Sequence, residues 1–217
     1  MDWCYADKVL SVEDCELIAG IGKANLEEAL TMGENTNPEV RQGSVCFFEP
    51  GKYPEAEPAL RNLVEQFAQV VDWYWGYKLK DVKPIQLAFY KPGDFYEWHY
   101  DMAGNKEQSE QKFLKRHFSA TVELTDPNTY EGGGLEFQGC LNNKPEKKQG
   151  RLIAFPSFML HRARKVLAGE RMALVMWAES NLFTELEPST PLDMQQAPDA
   201  TQEPEQIIKA KVLDSIA

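Results

Sequence analysis

The chain has 217 residues, 43% of them hydrophobic and 11% aromatic, which suits a globular core of ordinary domain size. Its net charge of -11 opposes a surface built to hold nucleic-acid phosphates. The opening MDWCYADKVL has no basic or apolar leader pattern and no apolar run approaches membrane-spanning length, so a soluble, cytoplasmic protein is expected, with no membrane partner.

In chain order, Cys4, Cys15, Cys46 and Cys140 are too far apart for a zinc knuckle or a redox dithiol, and reduced thiols are expected. Ser11 with Asp14 reads as a capping box, so a helix starts there and uses Leu17, Ile18 and Ile21, although Gly20 and Gly22 weaken it. Turn formers fill 32 to 38, and 40 to 48 reads as one strand ending at Pro50-Gly51. Leu60, Leu63, Phe67, Val70, Val71 and Tyr74 recur at helical spacing and predict a helix over about 57 to 75, its Trp73-Tyr74-Trp75 end reading as packing.

Ile85 to Tyr90 and Phe95 to Asp101 read as two strands around the turn Lys91-Pro92-Gly93-Asp94, a hairpin candidate. The polar segment 102 to 113 suits a loop that could act as a lid. Strands follow at 116 to 124, 135 to 137, 151 to 155 and 171 to 177, separated by polar and glycine-rich turns. Short strands at this frequency predict a mainly β domain with flanking helices, an antiparallel jelly-roll barrel of the cupin-like kind over about 84 to 180, supported by N-terminal helices between 8 and 75. Residues 181 to 217 read as an acidic, proline-rich tail in which 203 to 216 fits either a short helix or a solvated segment.

The chemistry concentrates in His99-Tyr100-Asp101 and in HRARKVLAGERMALVMW from His161 to Trp177. Side chains alternate along a strand, so His99 and Asp101 share a face and can grip one ion, while Tyr100 points away. With His161 they make two imidazoles and one carboxylate, the facial set that leaves open positions on non-haem Fe(II). H-x-D alone is common by chance; a distal His and Arg171 ten residues further make the pattern specific. Arg171, Ala173, Val175 and Trp177 share a strand face, and a guanidinium there can take a carboxylate bidentately, although an Arg at a strand start facing solvent is the simpler reading of that residue alone. His117 reads as structural or surface, and Arg162, Arg164 and Lys165 as a solvated basic rim.

Three segments, QLAFYKPGDFYEWHYD (86 to 101), SATVELTDPNTYEGGGLEF (119 to 137) and GRLIAFPSFMLHRARKVLAGERMALVMW (150 to 177), resemble the Fe(II)- and 2-oxoglutarate-dependent dioxygenases, in their prolyl 4-hydroxylase-like branch; the likeness spans roughly 8 to 180. The resemblance implies a double-stranded β-helix with His99, Asp101 and His161 as iron ligands and catalytic centre, and Arg171 on the distal carboxylate of 2-oxoglutarate. Tyr90 would line the co-substrate and substrate pocket, and Trp177 and Arg41 would contact substrate. Ala173 stands where many such enzymes carry Ser or Thr, so a hydroxyl for the co-substrate is sought at Tyr90, Ser119 or Thr121.

The implied reaction consumes 2-oxoglutarate and O2, releases succinate and CO2, and hydroxylates a prolyl residue of a peptide or protein, with ascorbate as an auxiliary reductant. A free amino acid or another small molecule is the alternative substrate, and a non-catalytic cupin-like metal binder the alternative class. No nucleic-acid partner is expected, and monomer and homodimer are both compatible with the sequence.

Overall fold

Two facing antiparallel sheets carry the alternation of the chain. The computed structural model describes residues 3–29, 37–82, 85–102 and 116–181. Its elements are β1 (Cys4–Ala6), α1 (Val12–Ala24), β2 (Glu27–Glu28), β3 (Arg41–Gln42), β4 (Ser44–Phe48), α2 (Glu57–Trp75), β5 (Leu79–Val82), β6 (Ile85–Tyr90), β7 (Phe95–His99), β8 (Phe118–Glu123), β9 (Glu131–Gly132), β10 (Leu135–Phe137), β11 (Leu152–Pro156), β12 (His161–Ala163), β13 (Val166–Ala168) and β14 (Arg171–Ser180). The major sheet runs β1-β11-β8-β14-β6-β4-β2, with β5 added to β14; the minor sheet runs β10-β12-β7-β3; β9 and β13 form a separate two-stranded ladder. The sheets face each other in jelly-roll fashion without closing into one hydrogen-bonded barrel among the described residues. No described helix is long and apolar enough to cross a membrane.

The major sheet is buried on both faces. Leu87 and Phe89 of β6, Phe118, Ala120 and Val122 of β8, Leu152 and Ala154 of β11, and Leu174, Met176 and Ala178 of β14 face the helices. Both helices dock there. α1 starts at Ser11, whose hydroxyl accepts from the Asp14 backbone N–H while Asp14 reaches back, the capping box expected. α2 spans the predicted 57–75 and buries Leu60, Leu63, Phe67 and Val71, each contributing about 1.5–3 kcal/mol of transfer free energy. Its aromatic end is divided: Trp75 packs on Phe118 with ring centroids 5.1 Å apart, whereas Trp73 is 86% exposed and not in the core.

The alternate residues of the same strands line the space between the sheets. They include Ala88 and Tyr90, Ser119, Thr121 and Glu123, Ile153 and Phe155, and Arg171, Ala173, Val175 and Trp177. Phe137 and Met159 close one end of this space against Ile153 and Phe155.

Four local expectations are corrected. The stretch 40–48 is two strands in two sheets: β3 pairs with β7 and β4 with β6. The crossing occurs at Gly43, where a Cβ would lie 2.9 Å from the Phe89 carbonyl oxygen. β6 and β7 are not a hairpin, since β6 pairs with β4 and β14 and β7 with β3 and β12. The intervening turn is held instead by β13, through Gly93 N–H to Val166 O and Val166 N–H to Asp94 O. β7 ends at His99 rather than Asp101. Finally, β1, β5, β12 and β13 escaped the sequence reading, being three or four residues long. The proposed lid at 102–113 lies, apart from Met102, outside the described residues, as do most of the 32–38 turn and the tail from 182 onward.

All four cysteines are free thiols, with Cys4, Cys15 and Cys46 buried; burial pushes the Cys4 thiol up to about 12 and keeps it protonated. His117 is structural: buried, it meets the Ser180 hydroxyl at 3.0 Å and accepts the Ser180 backbone N–H at 2.9 Å, tying the start of β8 to the end of β14. Within the expected basic rim, Arg162 is ion-paired, held by Glu136 at 2.8 Å with its guanidinium over Trp98, while Lys165 lies over the Phe95 ring.

The two α1 glycines differ in kind. A Cβ on Gly22 would fall 2.3 Å from Leu87 Cδ1, which is fully buried, while one on Gly20 meets nothing within 4 Å. Gly20→Ala is therefore expected to stabilise the fold by about 0.5–1 kcal/mol, and Gly22→Ala to destabilise it by about 1–3 kcal/mol, read as opposite shifts of the urea midpoint at constant m-value.

Candidate metal centre and carboxylate pocket

His99 and His161 are direct register partners on β7 and β12, with ring centroids 4.2 Å apart. His99 Nδ1 lies 2.7 Å from the Glu97 carbonyl oxygen and His161 Nδ1 2.8 Å from that of Met159. A carbonyl can only accept, so each Nδ1 carries the proton and each Nε2 presents a lone pair. Those lone pairs converge on one carboxylate: His99 Nε2 is 3.6 Å from Asp101 Oδ1 and His161 Nε2 3.5 Å from Asp101 Oδ2. One ligand atom from each residue lies within 4.8 Å of the others, which qualifies the trio to hold a metal ion.

Asp101 reaches this position from a turn, not from the strand. Its backbone N–H donates to the Ser157 carbonyl oxygen at 3.0 Å, and Ser157 Oγ meets Ser119 Oγ at 2.8 Å. Burial raises the Asp101 pKa, but the His161 and His99 rings, the Ser119 hydroxyl and the Trp177 indole outweigh it and hold the carboxylate below its ordinary value. Ser119 and Trp177 thus face the carboxylate; Ser119 is not a partner at the Arg171 end. His99 is driven down to about 4, first by burial and then by repulsion from His161, so it is neutral at physiological pH.

The flanks of the trio are aromatic and cationic. Tyr96 stacks on His99 at 3.6 Å between centroids, and Arg41 lies over Tyr96 at 4.7 Å. Phe155 meets His161 edge-on at 4.7 Å. Arg116 lies over Trp177 at 4.3 Å, a neighbour the sequence reading did not single out. Tyr100 is exposed on the far side.

Arg171 lies further along the same interior face. It is opposite Tyr90 in the β14–β6 ladder, with its guanidinium 5.9 Å from the Tyr90 ring. It is not a solvent-facing arginine: it is 5% exposed and ion-paired with Glu123, whose Oε2 accepts from Nε at 3.0 Å and lies 3.0 Å from Nη2. Glu123 is itself buried, and desolvation raises its pKa against the pull of Arg171. Tyr130 and Lys147 complete the group. Lys147 Nζ donates to the Gly132 carbonyl oxygen at 3.2 Å and lies 4.1 Å from the Tyr130 ring centroid. Glu123, Tyr130 and Lys147 were missed because each is distant in sequence from Arg171. Only the alternation of 119, 121 and 123 along β8 hinted that Glu123 faces inward.

Residues 85–179 match the family model described as the 2OG-Fe(II) oxygenase superfamily. A PKHD-type hydroxylase of Teredinibacter turnerae is 32% identical over 117 residues, 54% of this chain and 51% of that protein. One from Shewanella sp. strain ANA-3 is 34% identical over 104 residues, 44% of this chain and 46% of that protein. The chain thus spans about half the length of these curated relatives. Among solved structures, a Pseudomonas putida prolyl-4-hydroxylase superposes with TM-score 0.62 at 21% identity, covering 82% of this chain and 91% of that one. A Trichoplax adhaerens prolyl hydroxylase, solved with a hypoxia inducible factor peptide fragment, gives 0.63 at 16% identity, covering 82% and 83%. Residues 85–179 are therefore similar to the 2OG-Fe(II) oxygenase superfamily, in a chain whose fold is that of the prolyl hydroxylases.

Proposed function

We propose that the protein is an Fe(II)- and 2-oxoglutarate-dependent dioxygenase that hydroxylates a prolyl residue of a peptide or protein, with release of succinate and CO2. The observation that carries this reading is the convergence of two Nε2 lone pairs and one buried carboxylate, with both imidazole N–H groups committed to backbone carbonyls. Asp101 Oδ2 is a buried atom with no hydrogen-bond partner, as expected of a ligand atom awaiting a cation. The donor set suits Fe(II), and three protein ligands leave positions for a co-substrate and O2.

His99, Asp101 and His161 would hold the metal, and Arg171 the distal carboxylate of 2-oxoglutarate. Bound there, iron supplies the activation of O2 that the side chains cannot perform. The chain's own work is orientation and exclusion of water. The Glu97 and Met159 carbonyls lock both imidazole tautomers. Ser119 and Trp177 face the Asp101 carboxylate, which the neighbouring His161 and His99 rings chiefly hold below its ordinary pKa. Tyr90 and Val175 keep the route from the metal to Arg171 apolar. Tyr90, Trp177 and Arg41 are assigned to the pocket wall where substrate would lie. The alternative substrate, a free amino acid, draws support from Arg116: among the described residues no carboxylate lies within ion-pair distance of this cation near Asp101. An amino-acid carboxylate would meet it.

Turnover followed by mass spectrometry is expected to add one oxygen to proline in peptides; oxygen confined to free amino acids would move the assignment to the second reading. His99→Ala and Asp101→Ala are each expected to abolish succinate formation with an unchanged circular dichroism spectrum, and retained succinate would remove these residues from the centre.

Because Arg171 also neutralises buried Glu123, Arg171→Lys tests it better than Arg171→Ala: the countercharge stays while the fork is lost. The dissociation constant for 2-oxoglutarate is expected to rise about tenfold, the loss of one charge-assisted contact; an unchanged constant would locate the anchor elsewhere.

The pH dependence has a definite sign. The folded His99 pKa is about 4, below its ordinary 6.5, so between these values the unfolded chain takes up a proton that the folded chain refuses. The stability His99 permits is complete above about pH 6.5 and falls as pH falls towards about 4. Calorimetric Tm of metal-free protein should decline across that window, and His99→Asn should flatten the decline.

A further inference from the structure

We propose that Lys147 and Glu123 set the charge of the pocket around Arg171, Lys147 serving as a second cation for the distal carboxylate of 2-oxoglutarate and Glu123 as a resident competitor for it. The inference rests on the co-substrate reading given above. Its starting point is charge balance. Arg171 and Glu123 already form a neutral buried pair through a single carboxylate oxygen, Oε2, which takes Nε and one edge of Nη2. A second carboxylate on the remaining edge of the guanidinium would leave the pocket with one uncompensated negative charge, and a buried charge is tolerated only when it is paired.

The compensating cation is at hand. One cavity is lined by Thr121, Glu123, Leu135, Lys147, Ile153 and Arg171, and Glu146, Lys148 and Arg151 also border it. Two of these cations are committed: Arg151 to Asp7 at 2.6 Å and Glu146 at 3.0 Å, and Lys148 to Asp7 at 3.0 Å. Lys147 differs. Its ammonium has the Gly132 carbonyl oxygen and the face of Tyr130, and among the described residues no carboxylate within ion-pair distance. Beside it are the Glu123 carboxylate and the Tyr130 hydroxyl, on residues 8% and 5% exposed, the hydroxyl facing both Glu123 and Arg171. A carboxylate entering between Arg171 and Lys147 would meet both cations and the Tyr130 hydroxyl. The four charges of Arg171, Lys147, Glu123 and the ligand group then sum to zero.

Glu123 therefore works against the ligand, and its removal has an effect opposite to that of an ordinary supporting residue. Glu123→Gln keeps a carbonyl oxygen for Arg171 Nε, so the guanidinium stays oriented while the competing charge is gone.

The test is anaerobic titration calorimetry of 2-oxoglutarate into full-length protein loaded with Mn(II). Lys147→Met is expected to raise the dissociation constant roughly tenfold and Glu123→Gln to lower it roughly fivefold, with the double variant near wild type because charge balance is restored. Lys147→Arg should retain most of the affinity. Pyruvate is the control, since it has the 2-oxo acid chelate and no distal carboxylate: its binding should move in neither variant. An unchanged constant in Lys147→Met, weaker binding in Glu123→Gln, or a parallel shift for pyruvate would each overturn the proposal. If metal-loaded wild type binds no 2-oxoglutarate, the proposed function itself falls. If it binds and only these variants are silent, the charge-balance inference alone falls.

Discussion

Two imidazoles can share an ion here because the β7–β12 ladder puts His99 directly opposite His161. Facing residues on antiparallel strands have Cβ atoms about 4.5–5.5 Å apart, so a register slip of one residue would turn one ring to the other face and dissolve the site. The ring orientations follow from the same strands. Each Nδ1 meets the carbonyl two residues upstream, so neither tautomer depends on a side chain that could be lost by substitution. Asp101 is added from outside the ladder, held by its backbone N–H on Ser157, whose hydroxyl also holds Ser119. The ladder, the turn and the major sheet are thereby joined at one point.

The second ordered feature is the β8–β14 ladder. It sets Trp177 against Ser119 and Ala173 against Glu123. Four residues of strand separate these two pairs, a span of about 13 Å at strand rise. One end therefore serves Asp101 and the other holds Arg171 with its charged neighbours. Thr121 and Val175 lie between, and with Tyr90 and Ala88 from β6 they give the connecting stretch a mostly apolar wall. Ala173, opposite Glu123, contributes a methyl group where a larger side chain would compete with the buried Glu123 carboxylate for volume.

The helices act at one remove. α1 and α2 cover the outer face of the same strands, so Leu87, Phe118, Val122, Leu174 and Met176 are clamped there while their sequence neighbours form the inner site. A strand held on its outer face cannot rotate its inner residues, and this rigidity is what a site built from three separate strands and a turn requires.

Local chemistry was enough for much of this. The capping box at Ser11, the stripe from Leu60 to Val71, the strands 85–90, 118–123 and 152–156, and the His99-x-Asp101 spacing all depend on residues within a few positions of one another, whose periodicity is visible in the chain. So was the shared inward face of Arg171, Ala173, Val175 and Trp177. The failures were of another kind. The division of 40–48 between two sheets, the absence of a β6–β7 hairpin, the carbonyl partners of the imidazoles and the burial of Arg171 against Glu123 are decided by which strand lies beside which. That pairing is a long-range choice made by the whole core, and no local pattern encodes it. Composition and spacing determined that this chain forms strands and brings an H-x-D motif, a distal His and an Arg to a common interior. Tertiary structure alone decided that the Arg arrives already carrying a carboxylate, because cross-strand register, not sequence separation, determines which buried charges meet.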